Sequence, residues 1–156
     1  MGVEIERKFL VNDTSWKKSI RAVRCRQGYL CLGSGVTARV RVMDDIGYIT
    51  VKGGGEGMTR SEYEYAIPVI DAEEMLDGLC IKPLIEKNRY FVEHDGMVWE
   101  VDEFFGENSG LVVAEVELER EDQIFSLPGW VGKEVTGDSR YFNAALVKNP
   151  YTNWKV

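Results

Sequence analysis

Strand-like stretches of this chain carry charged residues two positions apart with apolar residues between them, and the arrangement recurs along most of its length. Residues 3–11, VEIERKFLV, place Glu4, Glu6 and Lys8 on one face; Val3, Ile5, Phe9 and Val11 take the other, interrupted by Arg7. Residues two apart on a strand stand about 7 Å from each other on one face. Like charges so placed repel unless opposite charges or a ligand lie across from them. Yet VTARVRVM sets Arg39 beside Arg41 against Ala38, Val40 and Val42, and RSEYEYAI sets Arg60, Glu62 and Glu64 against Tyr63, Tyr65 and Ile67. LIEKNRYFVE pairs Lys87 with Arg89, MVWEVDEF pairs Glu100 with Asp102, and LVVAEVELE aligns Glu115, Glu117 and Glu119. YITVKG contributes Lys52, on the face of Tyr48 and Thr50.

Turn signals separate these stretches. DDIG precedes YITVKG, and Asp95-Gly96 is the strongest short hairpin signal in the chain. With RQGYLCL near residue 29, about eight strands are expected, joined mainly by short turns, with helices near residues 14–25 (TSWKKSIRAV), 71–80 and 139–147. The expected fold is a mainly β, antiparallel protein with helical additions.

An open sheet wetting its charged face is the simple reading of any one strand. It explains the whole set poorly, because the face carries few of the Thr, Ser, Gln and Asn residues that dilute ordinary solvent faces. A barrel closed on the charged face lets acidic and basic strands meet across a shared lumen, with the apolar faces turned outward and covered by helices. The lumen would then hold Glu4, Glu6, Glu62, Glu64, Glu100, Asp102, Glu115 and Glu117, with Lys8, Arg39, Arg41, Lys52, Arg60, Lys87 and Arg89. So many fixed cations suit a polyanion, and arginine grips phosphate oxygens in a fork. Carboxylates would repel that anion unless divalent metal stood between them, and oxygen-only ligands suit Mg2+ or Mn2+.

The rest of the composition sets limits. A length of 156 residues, 44% of them hydrophobic, suits one domain over 1–156, without repeats of solenoid period. The net charge of −7 disfavours a nucleic-acid partner bound through a basic surface. No apolar run approaches the roughly 18 residues of a membrane span. Cys25, Cys31 and Cys80 lack CxxC spacing and read as buried, reduced thiols of a cytoplasmic protein. GGGEG at 53–57 lacks the Gly-Lys-Ser/Thr of a phosphate loop and reads as a strand connection, and His94 reads as a solvent-facing turn residue. The four tryptophans read as core or helix-docking residues.

EIERK resembles the ExExK signature of the CYTH, or triphosphate tunnel metalloenzyme, superfamily. RQGYL, RVR, TVK, RSEYEY, EKNRY, WEVDEF, AEVELE and GKEVTGDSRYFN follow in that family's order over nearly the whole chain, most like its short bacterial members. The resemblance implies an eight-stranded antiparallel tunnel barrel with flanking helices and a C-terminal plug helix. It also implies a phosphohydrolase that removes the terminal phosphoryl of tripolyphosphate or a nucleoside triphosphate with Mg2+ or Mn2+. Relatives include thiamine triphosphatases, class IV adenylyl cyclases and mRNA-capping triphosphatases.

Carried over, Glu4, Glu6 and Glu117 are the expected metal ligands, with Glu115 and Asp102 serving a second metal, its waters or the lumen's cations alongside Glu62 and Glu64. Lys8, Arg39, Arg41, Lys52, Lys87 and Arg89 match the triphosphate-binding cations, with Tyr29 near the site and Lys133 reaching in from the segment before the plug. For catalysis, Lys8 and Lys52 would neutralise charge, and Glu62 or Glu64 would accept a proton from the attacking water. A module that binds polyphosphate without hydrolysis is the non-enzyme alternative, and so many acids in the cavity speak against it. A homodimer is left open.

Overall fold

The computed structural model describes residues 2–17, 21–33, 35–54 and 58–154. Nine strands run in chain order: β1 (Val3–Val11), β2 (Ala22–Leu32), β3 (Val36–Met43), β4 (Ile46–Gly53), β5 (Thr59–Ile67), β6 (Ile85–His94), β7 (Met97–Phe104), β8 (Val112–Glu117) and β9 (Val131–Glu134). Helix α1 (Val69–Gly78) follows β5, and α2 (Asn143–Lys148) lies near the C-terminus. Among the described residues no helix is long and apolar enough to cross a membrane.

The neighbours run β5-β4-β3-β2-β6-β7-β8-β1, and a β1–β5 pairing returns to the start. Eight antiparallel strands therefore close into a barrel. Closure is short: Val3, Glu4 and Ile5 face Ser61, Arg60 and Thr59. Further along that edge of β1, Phe9 and Val11 pair with Glu134 and Val131 of β9, a strand beyond the eight expected. The β6–β7 hairpin turns at Asp95 (φ 48°) and Gly96 (φ 76°), the two left-handed residues that a tight hairpin matched to strand twist requires.

Alternation gives the barrel two unlike surfaces. Outside, Phe9, Tyr90, Val92, Trp99, Val101, Ala114 and Val116 form an apolar layer covered by Trp16, Trp130 and Phe125. Trp99 packs against Phe9, Phe125 and Trp130, with ring centroids 5.5, 5.9 and 5.8 Å away. Helix α1 buries Ala72 and Leu76 against Val40 and Val42 of β3. Gly47 of β4 admits the helix, since a Cβ there would sit 2.9 Å from that of Ala72.

Some expectations fail. The described part of the stretch 14–25 holds no α-helix: a 3-10 turn spans Ser15–Lys17 and β2 starts at Ala22, and residues 18–20 lie outside the described set. Asp13 accepts hydrogen bonds from the Ser15 backbone N–H (2.9 Å) and hydroxyl (2.6 Å), which fixes a tight turn, and pairing of residues 22–27 with β6 then outweighs local helical preference. The apolar faces are not all covered either, because Tyr63 and Tyr65 on β5 stay 51% and 62% exposed. Cys25 and Cys80 are buried, but Cys31 is exposed beyond a register shift in the β2–β3 pairing. Of GGGEG, residues 55–57 lie outside the described set.

Candidate active site

The inward face of the barrel surrounds a cavity of about 270 Å³. Seven carboxylates (Glu4, Glu6, Glu62, Glu64, Glu100, Glu115, Glu117) and seven cations (Lys8, Arg39, Arg41, Lys52, Arg60, Lys87, Arg89) line it, with Tyr29 and Thr37. Phe142, Asn143 and Ala144, at the start of α2, complete the wall. One strand face after another supplies these groups, so the geometry follows directly from the period-2 pattern.

The cations are held from the side. Glu64 accepts hydrogen bonds from Arg41 Nη2 (3.0 Å) and the Thr50 hydroxyl (2.7 Å), and Thr50 in turn accepts one from Arg39 Nη2 (3.2 Å). The Nε atoms of both arginines are buried without a hydrogen-bond partner. A buried, unpartnered guanidinium donor is costly. Lys52 Nζ lies 3.0 Å from Glu4 and 3.2 Å from Glu62. Lys8 Nζ donates to the Tyr141 carbonyl at 3.3 Å and stands 3.8 Å from Glu115. Tyr29, opposite Arg39 in the β2–β3 register, is buried, and burial pushes its hydroxyl above the usual range against the pull of Arg39.

Asp102 does not line the cavity. It is 1% exposed, and both its oxygens are engaged: Arg89 donates to it in a fork (2.8 and 2.9 Å) and Lys87 donates at 2.8 Å. Burial alone would raise its pKa, but Arg89 and then Lys87 reverse that and hold it at about 2. It is the counter-ion behind two lumen cations, the last of the three roles expected for it. Lys133 departs from expectation, since it is exposed on β9 and absent from the lining.

The acids on β1 behave differently. Glu6 faces Glu117, and Lys8 faces Glu115, across the β1–β8 pairing. Burial first, then the charge of Glu115, push Glu6 up to about 9, while Glu115, buried beside Lys8, stays well below the usual range. Glu6 and Glu115 thus share a proton. Burial and a hydrogen bond with Glu62 raise Glu4, and burial followed by the charge of Glu4 raises Glu117. Among the described residues Glu4 pairs with Lys52 and Glu115 with Lys8, whereas Glu6 and Glu117 have no ion-pair partner. Glu4, Glu6 and Glu117 offer carboxylate oxygens alone, the donor chemistry of a hard divalent ion. Among the described residues no three such groups are yet gathered at ligand distance.

A profile of the CYTH domain matches residues 2–149. The chain belongs to the CYTH domain family. It is 54% identical over 155 residues to a protein of Acetivibrio thermocellus named inorganic triphosphatase, with 99% of each chain covered. A Nitrosomonas europaea protein of the same name is 42% identical over 147 residues, covering 92% of this chain and 95% of that one. A crystal structure of an inorganic triphosphatase superposes with a TM-score of 0.67 at 38% identity, covering 92% of this chain and 96% of the other.

Sequence reasoning passed over Asn143, which accepts a hydrogen bond from Lys87 Nζ at 3.1 Å, and Phe142, which lies against Lys8 and Arg60. Both lie in a stretch singled out only as a plug. Nothing in their residue types marks them as cavity groups before the fold brings α2 to the barrel.

Proposed function

We propose that the tunnel binds inorganic tripolyphosphate with Mg2+ or Mn2+ and hydrolyses its terminal phosphoryl. The observation that carries this reading is the cavity itself: seven cations, among them the buried Arg39 and Arg41, share one space with the carboxylates of Glu4, Glu6 and Glu117. The names of two relatives, at 54% and 42% identity, support the same substrate class.

Glu4, Glu6 and Glu117 would hold the metal, which when bound neutralises phosphate oxygens and acidifies water. Arg39, Arg41, Lys52, Lys87 and Arg89 orient the anion, and Asp102, Glu64 and Thr50 hold those cations in position. Lys8, on the strand face of the ligands, balances charge that develops during phosphoryl transfer. Glu62 accepts the proton of the attacking water. The hydrogen bond with Glu4, then the charge of Lys52, hold its carboxylate below the usual range although burial opposes them, so it is ionised. Glu64 is tied to Arg41 and Thr50 and serves as their anchor.

The described lining contains only two aromatic side chains, Tyr29 and Phe142, and Tyr29 is 5% exposed. That offers little for stacking a nucleobase, which favours the inorganic substrate over ATP. The test is a substrate panel of tripolyphosphate, pyrophosphate, ATP and GTP, following phosphate release with Mg2+ and with Mn2+. Tripolyphosphate should give the highest kcat/KM. Release from none of these substrates, or release undiminished in EDTA, would contradict the proposal.

A further inference from the structure

Arg60 differs from the other cations of the lumen. Lys8, Arg39, Arg41, Lys52, Lys87 and Arg89 each have a carboxylate ion-pair partner. Arg60 has none among the described residues, although it lines the cavity and lies directly opposite Glu4 in the β1–β5 register. Side chains so placed have Cβ atoms about 5 Å apart, well within reach of an ion pair. Glu4 instead accepts from Lys52 at 3.0 Å. The Arg60 guanidinium carbon lies over the Phe142 ring, 4.3 Å from its centroid. An aromatic face attracts the charge but does not occupy the N–H donors. Phe142 therefore keeps Arg60 at the α2 end of the cavity with its hydrogen-bonding edge available.

Resting on the triphosphatase reading, we infer that Arg60 is a further phosphate-binding residue and that Phe142 is its positioning residue, together defining where the α2 end of the substrate docks. The ring also stands 5.5 Å from Lys8 Nζ, so the same side chain sets the spacing between two cations on neighbouring strands. A guanidinium withheld from its nearest carboxylate is available to an incoming anion without first breaking an ion pair.

The experiment is steady-state kinetics on tripolyphosphate for Arg60→Ala, Phe142→Leu, Phe142→Tyr and the Arg60→Ala/Phe142→Leu double variant, each verified as folded by thermal melting. Arg60→Ala should raise KM by on the order of tenfold, the scale of one lost charge-assisted hydrogen bond, with a much smaller fall in kcat. Phe142→Leu should raise KM severalfold in the wild-type background and add nothing in the Arg60→Ala background, while Phe142→Tyr keeps KM near the wild-type value. Should Arg60→Ala fail to fold, Arg60→Gln takes its place with the same expectation. An unchanged KM for a folded Arg60 variant in an active protein overturns the inference alone. So does an equal effect of Phe142→Leu in both backgrounds. A wild-type protein that hydrolyses no triphosphate sinks the functional reading and this inference with it.

Discussion

Glu6 and Asp102 are both acids on charged strand faces, and their surroundings drive them in opposite directions. Asp102 meets two cations and is held at about 2; Glu6 meets another carboxylate and is pushed up to about 9. The sign of each effect on stability follows from linkage. An unfolded Glu6 ionises near 4.5, whereas the folded one keeps its proton to about 9, so this group weakens the metal-free fold progressively as pH rises between those values. Glu6→Gln removes that penalty. Without metal, its melting temperature should exceed that of the wild type at pH 8 to 9 and match it near pH 4, with tripolyphosphate turnover abolished; a variant less stable at high pH would contradict the buried acid pair. Asp102 works the other way, with stability fully present above its ordinary 3.8 and lost as pH falls through about 2. Asp102→Ala leaves Arg89 and Lys87 short of their shared counter-ion and should cost about 3–5 kcal/mol in urea unfolding. Unchanged stability would return Asp102 to the metal-ligand group.

At the scale of elements, β4 is thin where α1 docks. Gly47→Val would drive a branched side chain into Ala72 and the Ile67 carbonyl. Overpacking of this kind costs about 1–3 kcal/mol, and each kcal/mol lowers the melting temperature of a chain this size by about 2–4 °C. Differential scanning calorimetry should register the drop, and an unchanged melting temperature would mean that the helix is free to shift. The strands that carry site residues were legible because one period fixes both pairing face and lumen face: Arg39 and Arg41 could not leave the lumen without taking Val40 out of the core. β9 has only four residues and too little pattern to declare itself. The stretch 14–25 misled because Thr14 and Ser15 begin a tight turn as readily as a helix, and only the partner strand β6 decides. Which of its three expected roles Asp102 takes was not legible for a related reason. Facing direction is written in the sequence, but whether a carboxylate reaches the cavity or stops at a neighbouring arginine depends on cross-strand register, which places it opposite Arg89.

The whole molecule turns a mainly acidic chain into a container for a polyanion. The net charge of −7 lies outside the logic of the cavity, where seven acids and seven cations balance. With Glu6 protonated, six ionised lining acids and Asp102 behind Lys87 and Arg89 offset the seven cations before any metal enters. Metal binding must displace that proton, so the affinity for Mg2+ should rise as pH approaches 9. Titration calorimetry in buffers of different ionisation enthalpy should detect about one proton released per metal bound at neutral pH, and no release would contradict the shared proton. The central claim is that acids and cations of this lumen jointly hold a metal–triphosphate complex. It is tested most directly by anomalous diffraction from crystals soaked with Mn2+ and a non-hydrolysable tripolyphosphate analogue. The account predicts a manganese peak at ligand distance from Glu4, Glu6 and Glu117, with phosphate oxygens against Arg39 and Arg41. A peak outside the barrel alone, or an analogue bound away from the arginines, would contradict it.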